Sequence, residues 1–322
     1  MKKLFSVLIL CLCLTACAKE PGNMTDGTGS EKTLKVGIVQ FTQHEALDAA
    51  TEGFLETLES EFGNQIEVLV KNASGDYATC SAIVNGFITD GVDLIMANAT
   101  PAVKAAAAAT DSIPILGTSV TDYGAALEID DFNGVTGMNV SGTSDLAPLD
   151  VQAQMILDLF PETETVGIIF CSNEANSRYQ VKVVEEYLKG QGITVETASF
   201  TDSNDVAPIT EDLCSRIDVL YIPTDNKAAE CADTIGNIVL EKKIPVISGE
   251  EGVCRRCGVA TLTISYRKLG NETGKMAISV LKEGTDVAAL PIRYYPEPVK
   301  KFNPEICELL NVDIPEGFEP VE

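Results

Sequence analysis

Short runs of aliphatic and β-branched residues alternate along the chain with longer segments in which apolar residues recur every three or four positions. The first run, Leu34–Gln40, predicts a buried strand, and residues 45–62 carry apolar side chains at helical spacing. The same alternation continues to about residue 250. Strands separated by helices predict right-handed crossovers and parallel sheets that are covered on both faces.

Further elements follow from the same alternation. Strands are predicted at residues 66–72, 92–98, 113–119, 165–171, 193–200, 219–224 and 244–250. Helices are predicted through Ile83 and Phe87, and at residues 101–109, 147–160, 176–190, 203–215, 226–241 and 266–282. Both series obey the strand–helix order of a doubly wound fold.

The order of elements restarts near residues 137–142, which predicts two lobes joined there. We expect an α/β fold of two doubly wound parallel-sheet lobes with a ligand cleft between them. The N-terminal lobe is expected at residues 34–140 plus about 266–284. The C-terminal lobe is expected at 141–265 plus about 285–322, since the Pro-rich tail can cross back between the lobes.

The N-terminus has the features of an export signal. Two lysines precede an apolar run that is too short to span a bilayer, so residues 1–16 are predicted to be a signal peptide. The run ends in Leu-Thr-Ala-Cys, which resembles a bacterial lipobox and implies a lipid on Cys17. Residues 17–33 are rich in Gly, Thr and charge and predict a flexible tether. We therefore expect an exported protein that is anchored by lipid at the outer face of the bacterial cell membrane, or is periplasmic.

Charge excludes one class of partner. The chain has 23 Lys and Arg against 48 Asp and Glu, which gives a net charge of −25. Such a surface repels phosphate backbones, so nucleic acid is not an expected partner. We expect contact with the membrane only through the lipid.

Seven cysteines remain when the leader and Cys17 are set aside. They are Cys80, Cys171, Cys214, Cys231, Cys254, Cys257 and Cys307. Cys254 and Cys257 form a CxxC before a strand-like run, which is weak evidence for zinc or for thioredoxin chemistry. Free thiols and local disulfides both remain open from the sequence.

The sequence motifs of common enzyme classes are absent or incomplete in this chain. The first strand is followed by neither GxGxxG nor a P-loop, which removes the main support for dehydrogenase or kinase activity. His44, Glu45 and Asp48 resemble a zinc signature, but His44 is the only histidine of the sequence. Glu250 and Glu251 are adjacent, which suits paired glycosidase carboxylates poorly. We expect no enzyme, no catalytic residue, no metal and no cofactor; an exported hydrolase is the less favoured alternative.

Polar loops follow the carboxyl ends of the predicted strands in both lobes, where open parallel sheets bind ligands. Thr100 is predicted to cap a helix that has Pro101 in its first turn. The free N–H groups and the dipole at that end favour a carboxylate, and Ser119 and Thr121 would add hydroxyl donors. These loops therefore predict a carboxylate site in the first lobe.

The second lobe offers acidic residues for an ammonium group. Asp225 is the first candidate and Glu174 the second, although the same residues could only cap their helices. Phe41 is expected to stack on the ligand side chain. The full candidate set is Phe41, Thr100, Ser119, Thr121, Asp122, Glu174, Asn176, Ser177, Asp225, Asn226 and Glu250.

Five segments follow one another along the chain: HEALDAATEGF, DLIMANATPAVKAAAAAT, IPILGTSVTDYGAA, SNEANS and IPTDN. In this order they resemble one family of ABC-transporter substrate-binding lipoproteins of the two-lobed, type I periplasmic kind. The resemblance covers about residues 34–285 and implies uptake of an amino acid, tryptophan, phenylalanine or tyrosine among them, with a membrane permease as partner. A sugar or a nucleoside is the alternative ligand on the same fold.

Overall fold

The computed structural model describes residues 33–295 and 297–321. The predicted signal peptide, Cys17 and all but the last residue of the predicted tether lie outside these residues. Within this part of the chain no helix is long and apolar enough to cross a membrane.

The first sheet consists of parallel strands in the order β11–β5–β4–β3–β1–β2. These strands are β1 Leu34–Gln40, β2 Ile66–Asn72, β3 Leu94–Asn98, β4 Ile115–Val120, β5 Val140–Ser144 and β11 Arg293–Tyr294. The helices of this lobe are α1 Glu45–Phe62, α2 Tyr77–Asp90, α3 Thr100–Ala109, α4 Tyr123–Leu127 and α11 Tyr266–Glu283. Apolar residues on both faces of the sheet form two hydrophobic cores, as a parallel sheet requires.

The second sheet has the order β13–β12–β10–β9–β8–β6–β7, and β12 runs antiparallel to β10. Its strands are β6 Thr165–Cys171, β7 Thr194–Phe200, β8 Val219–Ile222, β9 Val246–Ser248, β10 Ala260–Thr263, β12 Val299–Phe302 and β13 Glu319–Pro320. Its helices are α5 Leu149–Leu159, α6 Ala175–Gly190, α7 Val206–Leu213, α8 Asn226–Glu230, α9 Ala232–Lys242, α10 Glu251–Cys257 and α12 Pro304–Leu310. The predicted fold of two parallel-sheet α/β lobes is confirmed.

Two predicted helices differ from the observed ones. The segment predicted as one helix at 226–241 is broken at Cys231 into α8 and α9. The segment predicted at 203–215 begins with a 3-10 turn, Ser203–Asp205, before α7. The short helices α4 and α10 were not predicted, because five to seven residues are too few to establish a helical period.

The chain crosses between the lobes after β5, after β10 and between β11 and β12. Residues 141–144 and 285–294, which the sequence assigned to the second lobe, therefore lie in the first. The boundary at residue 141 was misplaced because the Ser, Gly and Thr residues of β5 do not resemble a buried strand. Their hydroxyls are satisfied inside the lobe: Ser141 Oγ donates to Leu290 O at 2.9 Å, and Thr143 Oγ1 lies 2.8 Å from Thr273 Oγ1.

Candidate functional site

The carboxyl ends of β1, β3 and β4 face those of β6, β8 and β9, and the two lobes touch across this cleft. The hydroxyl of Thr42, after β1, donates to Glu230 in α8. His44 Nε2 lies 3.1 Å from Asn226 Oδ1. At the start of α1, Glu45 pairs with Arg255 of α10. The contact between His44 and Asn226 joins two of the loops that the sequence predicted to face each other.

The first-lobe side of the cleft has strained backbone. Ala99 (φ 89°) and Ser119 (φ 55°) both adopt positive φ angles, and Ala99 occupies the N-cap position of α3. Thr100 is thus the first helical residue and not the N-cap; the prediction of Thr100 as the cap was wrong because the cap position is formed by backbone alone. Thr100 and Ser119 are only 2% and 6% exposed, and neither hydroxyl has a hydrogen-bond partner among the described residues.

Thr121 and Asp122 have partners within the protein. Thr121 Oγ1 donates to Asp145 Oδ1 at 3.1 Å, and the hydroxyl of Tyr266 donates to the other oxygen of that carboxylate at 3.0 Å. Burial raises the pKa of Asp145 to about 6. Asp122 caps α4 by accepting from Ala125 N at 2.6 Å. Thr121 therefore connects the cleft to Asp145, in the segment that follows β5, and through Asp145 to Tyr266 at the start of α11.

Glu174 is a hydrogen-bond centre on the second-lobe side and is 3% exposed. Its Oε2 accepts from Asn226 Nδ2 at 2.6 Å and from Asn176 Nδ2 at 3.1 Å, and its Oε1 accepts from Lys227 N at 2.9 Å. Burial, and next the neighbouring Asp225, raise the pKa of Glu174 to about 7. Glu174 therefore sets the orientation of both asparagine amides.

Asp225, 2% exposed, is held by backbone donors. One oxygen accepts from Ala228 N at 2.7 Å and caps α8, and the other accepts from Cys171 N at 2.6 Å. The Ser177 hydroxyl is a further partner, and burial raises the pKa of Asp225 despite these bonds. Capping is thus one role that the structure assigns to Asp225.

Asn176, on α6, has a buried side-chain acceptor. Its Nδ2 has acceptors at Glu174 Oε2, at Thr224 O (3.0 Å) and at Ser177 Oγ (3.3 Å), which fixes the orientation of the amide. Asn176 is 5% exposed, and its Oδ1 has no partner in the part of the chain that the structure describes. This oxygen can be satisfied only by a hydrogen-bond donor.

The remaining predicted site residues, Glu250 and Phe41, interact with other parts of the protein. Glu250 caps α10 by accepting from Gly252 N at 2.8 Å and Val253 N at 2.7 Å. It also borders a groove of about 620 Å³ between the lobes, next to Tyr266. Phe41 directly follows β1 and packs into the core of the first lobe.

Tyr123, the first residue of α4, is buried. Its hydroxyl donates to Thr143 O at 3.1 Å, and the ring fills the space that Gly117 and Gly142 leave by having no side chain. Tyr123 is therefore part of the first-lobe core.

Sequence reasoning missed several residues at the cleft. Gln180 is buried on α6, donates to Thr224 O at 3.0 Å and reaches Thr121 Oγ1 at 3.5 Å. Its spacing of four from Asn176 places both on one helix face, which is a signal that was available. Glu230 gave no such signal, because its contact with Thr42 depends on how the lobes meet.

The seven cysteines between residues 80 and 307 are free and buried in the described structure. Cys254 and Cys257 lie within α10, and strand β10 follows them, as the strand-like run in the sequence predicted. Burial raises the pKa of Cys257 to about 12, which keeps this thiol protonated. Over residues 33–295 and 297–321, no three His, Cys, Asp or Glu side chains are grouped as a metal site requires.

Residues 35–319 match the family of ABC transporter substrate binding proteins. A tyrosine-binding protein of Clostridioides difficile is 34% identical over 97% of this chain and 93% of its own length. The structure of an ABC domain in complex with L-Trp from Streptococcus pneumonia has a TM-score of 0.84 at 30% identity, covering 88% of this chain and 96% of that one.

A ligand-free, open substrate-binding protein with adhesive properties from Clostridium difficile gives a lower TM-score, 0.69, at 36% identity. That comparison covers 90% of this chain and 99% of the other.

A two-lobed α/β protein with polar loops facing across a cleft is the architecture of a solute-binding protein, and the chain belongs to the ABC transporter substrate binding proteins. Substrate-binding proteins of ABC importers work outside the cytoplasm. The predicted family and class of function are confirmed.

Proposed function

We propose that the protein captures an aromatic amino acid between its lobes and delivers it to the permease of an ABC importer. The observation that carries the proposal is a set of buried side-chain oxygens at the cleft without partners in the described chain. They belong to Asn98, Thr100 and Ser119 in the first lobe and to Asn176 in the second. Buried polar groups are nearly always hydrogen-bonded, so these oxygens call for a polar ligand.

The first-lobe oxygens suit a carboxylate. The hydroxyls of Thr100 and Ser119 can donate, and Thr100 opens the ten-residue helix α3, whose N-terminal N–H groups favour an anion. Thr121, whose hydroxyl hydrogen is used by Asp145, is available to the ligand only as an acceptor. We therefore assign the carboxylate to Thr100 and Ser119.

The second-lobe groups suit an ammonium ion. Asn176 Oδ1 can only accept, and Glu174, in contact with the same side chain, contributes negative charge. Asp225 acts through the charge it adds beside Glu174. Phe41 is the aromatic residue that we expect beside the ligand ring, and the tyrosine and L-Trp ligands of the two relatives support an aromatic side chain.

Closure over the ligand follows from contacts to both lobes. A ligand bonded to Thr100 on one side and Asn176 on the other shifts the population from open to closed. The permease then receives the closed, loaded form. No chemical step is involved, so the ligand is returned unaltered.

A thermal-shift screen against the twenty amino acids, common sugars and nucleosides tests the ligand class. A ligand at 100 times its dissociation constant adds about 2.7 kcal/mol of stability and several degrees in melting temperature. We expect this shift with Tyr, Trp or Phe, and a much smaller one in Thr100→Val. If only sugars or nucleosides raised the melting temperature, the ligand would belong to that class and not to the amino acids.

The lipid anchor is a second part of the proposal and rests on the LTAC sequence that ends at Cys17. In the bacterium, the protein is expected in the membrane fraction, and Cys17→Ser is expected to move it out of that fraction. Mass spectrometry of the mature N-terminus should find a lipidated cysteine. An unmodified Cys17 in the wild-type protein would refute the anchor.

A further inference from the structure

Two buried carboxylates share the turn that begins α8. Glu174 accepts from the backbone N–H groups of Asn226, at 3.2 Å, and Lys227, while Asp225 accepts from that of Ala228 two residues after Asn226. Both acids are almost fully buried. The two carboxyl groups therefore lie close together and away from water.

Cationic side chains nearby are directed elsewhere. Lys227 Nζ donates to Glu230 at 2.6 Å, and Arg178 Nη1 donates to Ser172 O at 2.5 Å. His44 meets the Asn226 oxygen and not a carboxylate. The neighbouring thiols of Cys171 and Cys231 are protonated, since burial raises their pKa values. The charged side chains that the structure shows to be buried are all acidic, namely Asp145, Glu174, Asp225 and Glu250.

A second observation indicates that a cation belongs beside this pair. Asn176 is bonded to Glu174 through its Nδ2, which leaves its buried Oδ1 as an acceptor without a donor in the described structure. A ligand ammonium group can supply that donor and offset the negative charge of the pair at the same time.

We propose that the Glu174–Asp225 pair holds a proton in the ligand-free protein and releases it when the ammonium group of the ligand binds. The O–H bond of one carboxyl breaks, the proton passes to solvent, and the ammonium replaces it as the compensating positive charge. This inference rests on the proposed function, because it requires a ligand with an ammonium group.

The direction in which ligand affinity changes with pH follows from the burial of Glu174. Burial raises the pKa of Glu174 to about 7, whereas a bound ammonium group lowers it. Affinity is therefore expected to rise with pH below about 7, by at most about tenfold per pH unit, and to level off above it. The amino and carboxyl groups of the ligand do not titrate between about pH 5 and 7.

Isothermal titration calorimetry of the purified protein with tyrosine, tryptophan and phenylalanine, in buffers of different ionisation enthalpy, counts the released protons. At about pH 6 we expect release approaching one proton per bound ligand. Glu174→Gln should abolish the release. Asp145→Asn, which removes another buried acid, should retain it. Release that is lost in Asp145→Asn and kept in Glu174→Gln would overturn the assignment.

Ligand analogues test the wild-type protein, so the result does not depend on the folding of a variant. The amine lacking the carboxylate should release the proton, and the acid lacking the amino group should not. Binding of the amino acid without proton release overturns this inference and leaves the proposed function standing. If no aromatic amino acid binds, the proposed function itself fails.

Discussion

The imidazole Nε2 of His44 lies 3.1 Å from the side-chain oxygen of Asn226, and this contact joins the two lobes across the cleft. Asn226 presents its oxygen because its Nδ2 donates to Glu174 at 2.6 Å. His44 Nε2 must therefore carry a hydrogen, since an oxygen can only accept. One buried carboxylate thus determines which hydrogen bond a residue of the other lobe makes on closure.

Replacing His44 by alanine should weaken ligand binding. The variant loses a hydrogen bond that exists only when the lobes are together, so the free energy of ligand binding should become less favourable by about 0.5–1.5 kcal/mol. Titration calorimetry measures the affinity, and small-angle scattering measures the shift towards the open form. His44→Ala, Asn226→Ala and the double variant form a cycle; fully additive effects would show that the contact contributes nothing.

Thr100→Val should separate binding from stability. The Thr100 hydroxyl has no partner in the described protein, so its loss should leave the free energy of unfolding unchanged or raise it. Affinity should fall by about 1.5–3 kcal/mol if the hydroxyl donates to a carboxylate. Denaturant unfolding and calorimetry measure the two quantities.

Thr118→Val is the matched control for that variant. The Thr118 hydroxyl is also buried but lies 3.2 Å from Thr143 Oγ1, so its loss should cost about 0.5–1.5 kcal/mol of stability. If Thr100→Val destabilised the protein as much as Thr118→Val, the Thr100 hydroxyl would be structural and not a ligand group.

Asp225→Ala should destabilise the fold. The variant removes the cap of α8 and leaves Cys171 N buried without its acceptor, at a cost of about 2–4 kcal/mol. Asp76, which caps α2 by accepting from Thr79 N at 2.6 Å, is exposed, and Asp76→Ala should cost only about 0.5–1 kcal/mol. Equal losses in chemical denaturation would show that burial adds nothing to the role of Asp225.

Asp145 should make stability depend on pH. Burial raises its pKa to about 6 from an ordinary value of 3.8, so the folded state binds the proton more tightly than the unfolded state. Its contribution to the free energy of unfolding therefore falls as pH rises from about 4 to 6, by on the order of 3 kcal/mol, and is constant above. The difference between wild type and Asp145→Asn across this range isolates the effect, and a flat difference would contradict it.

Most elements were predictable because their information is local. The strands at 34–40, 66–72 and 165–171 and the helix at 45–62 were predicted with the observed limits, since a period of 3.6 or a continuous apolar run reports which faces are buried. Strand β5 escaped detection because its buried hydroxyls are satisfied by Leu290 and Thr273, which are distant in sequence.

At the cleft the sequence predicted the loops, but the roles of individual residues depended on contacts between elements. Thr100, Ser119 and Asn176 were candidates by type, and the structure adds that they keep oxygens without partners within the described chain. Asp225 and Glu250 belonged to the same types, yet backbone N–H groups occupy their oxygens. Residue type alone does not distinguish a polar side chain with a free oxygen from one that is bonded to backbone N–H groups, because the sequence shows the same kinds of polar residue in both cases.

By itself, the sequence determined the alternation of strands and helices, the division into two lobes and the loops that face each other, since all three follow from periodicity and chain order. The tertiary structure alone decided which polar groups are satisfied, which lobe receives β5 and β11, and that Glu174 and Asp225 share one buried turn. Hydrogen bonding and burial depend on neighbours far apart in the chain, and only the folded arrangement brings those neighbours together.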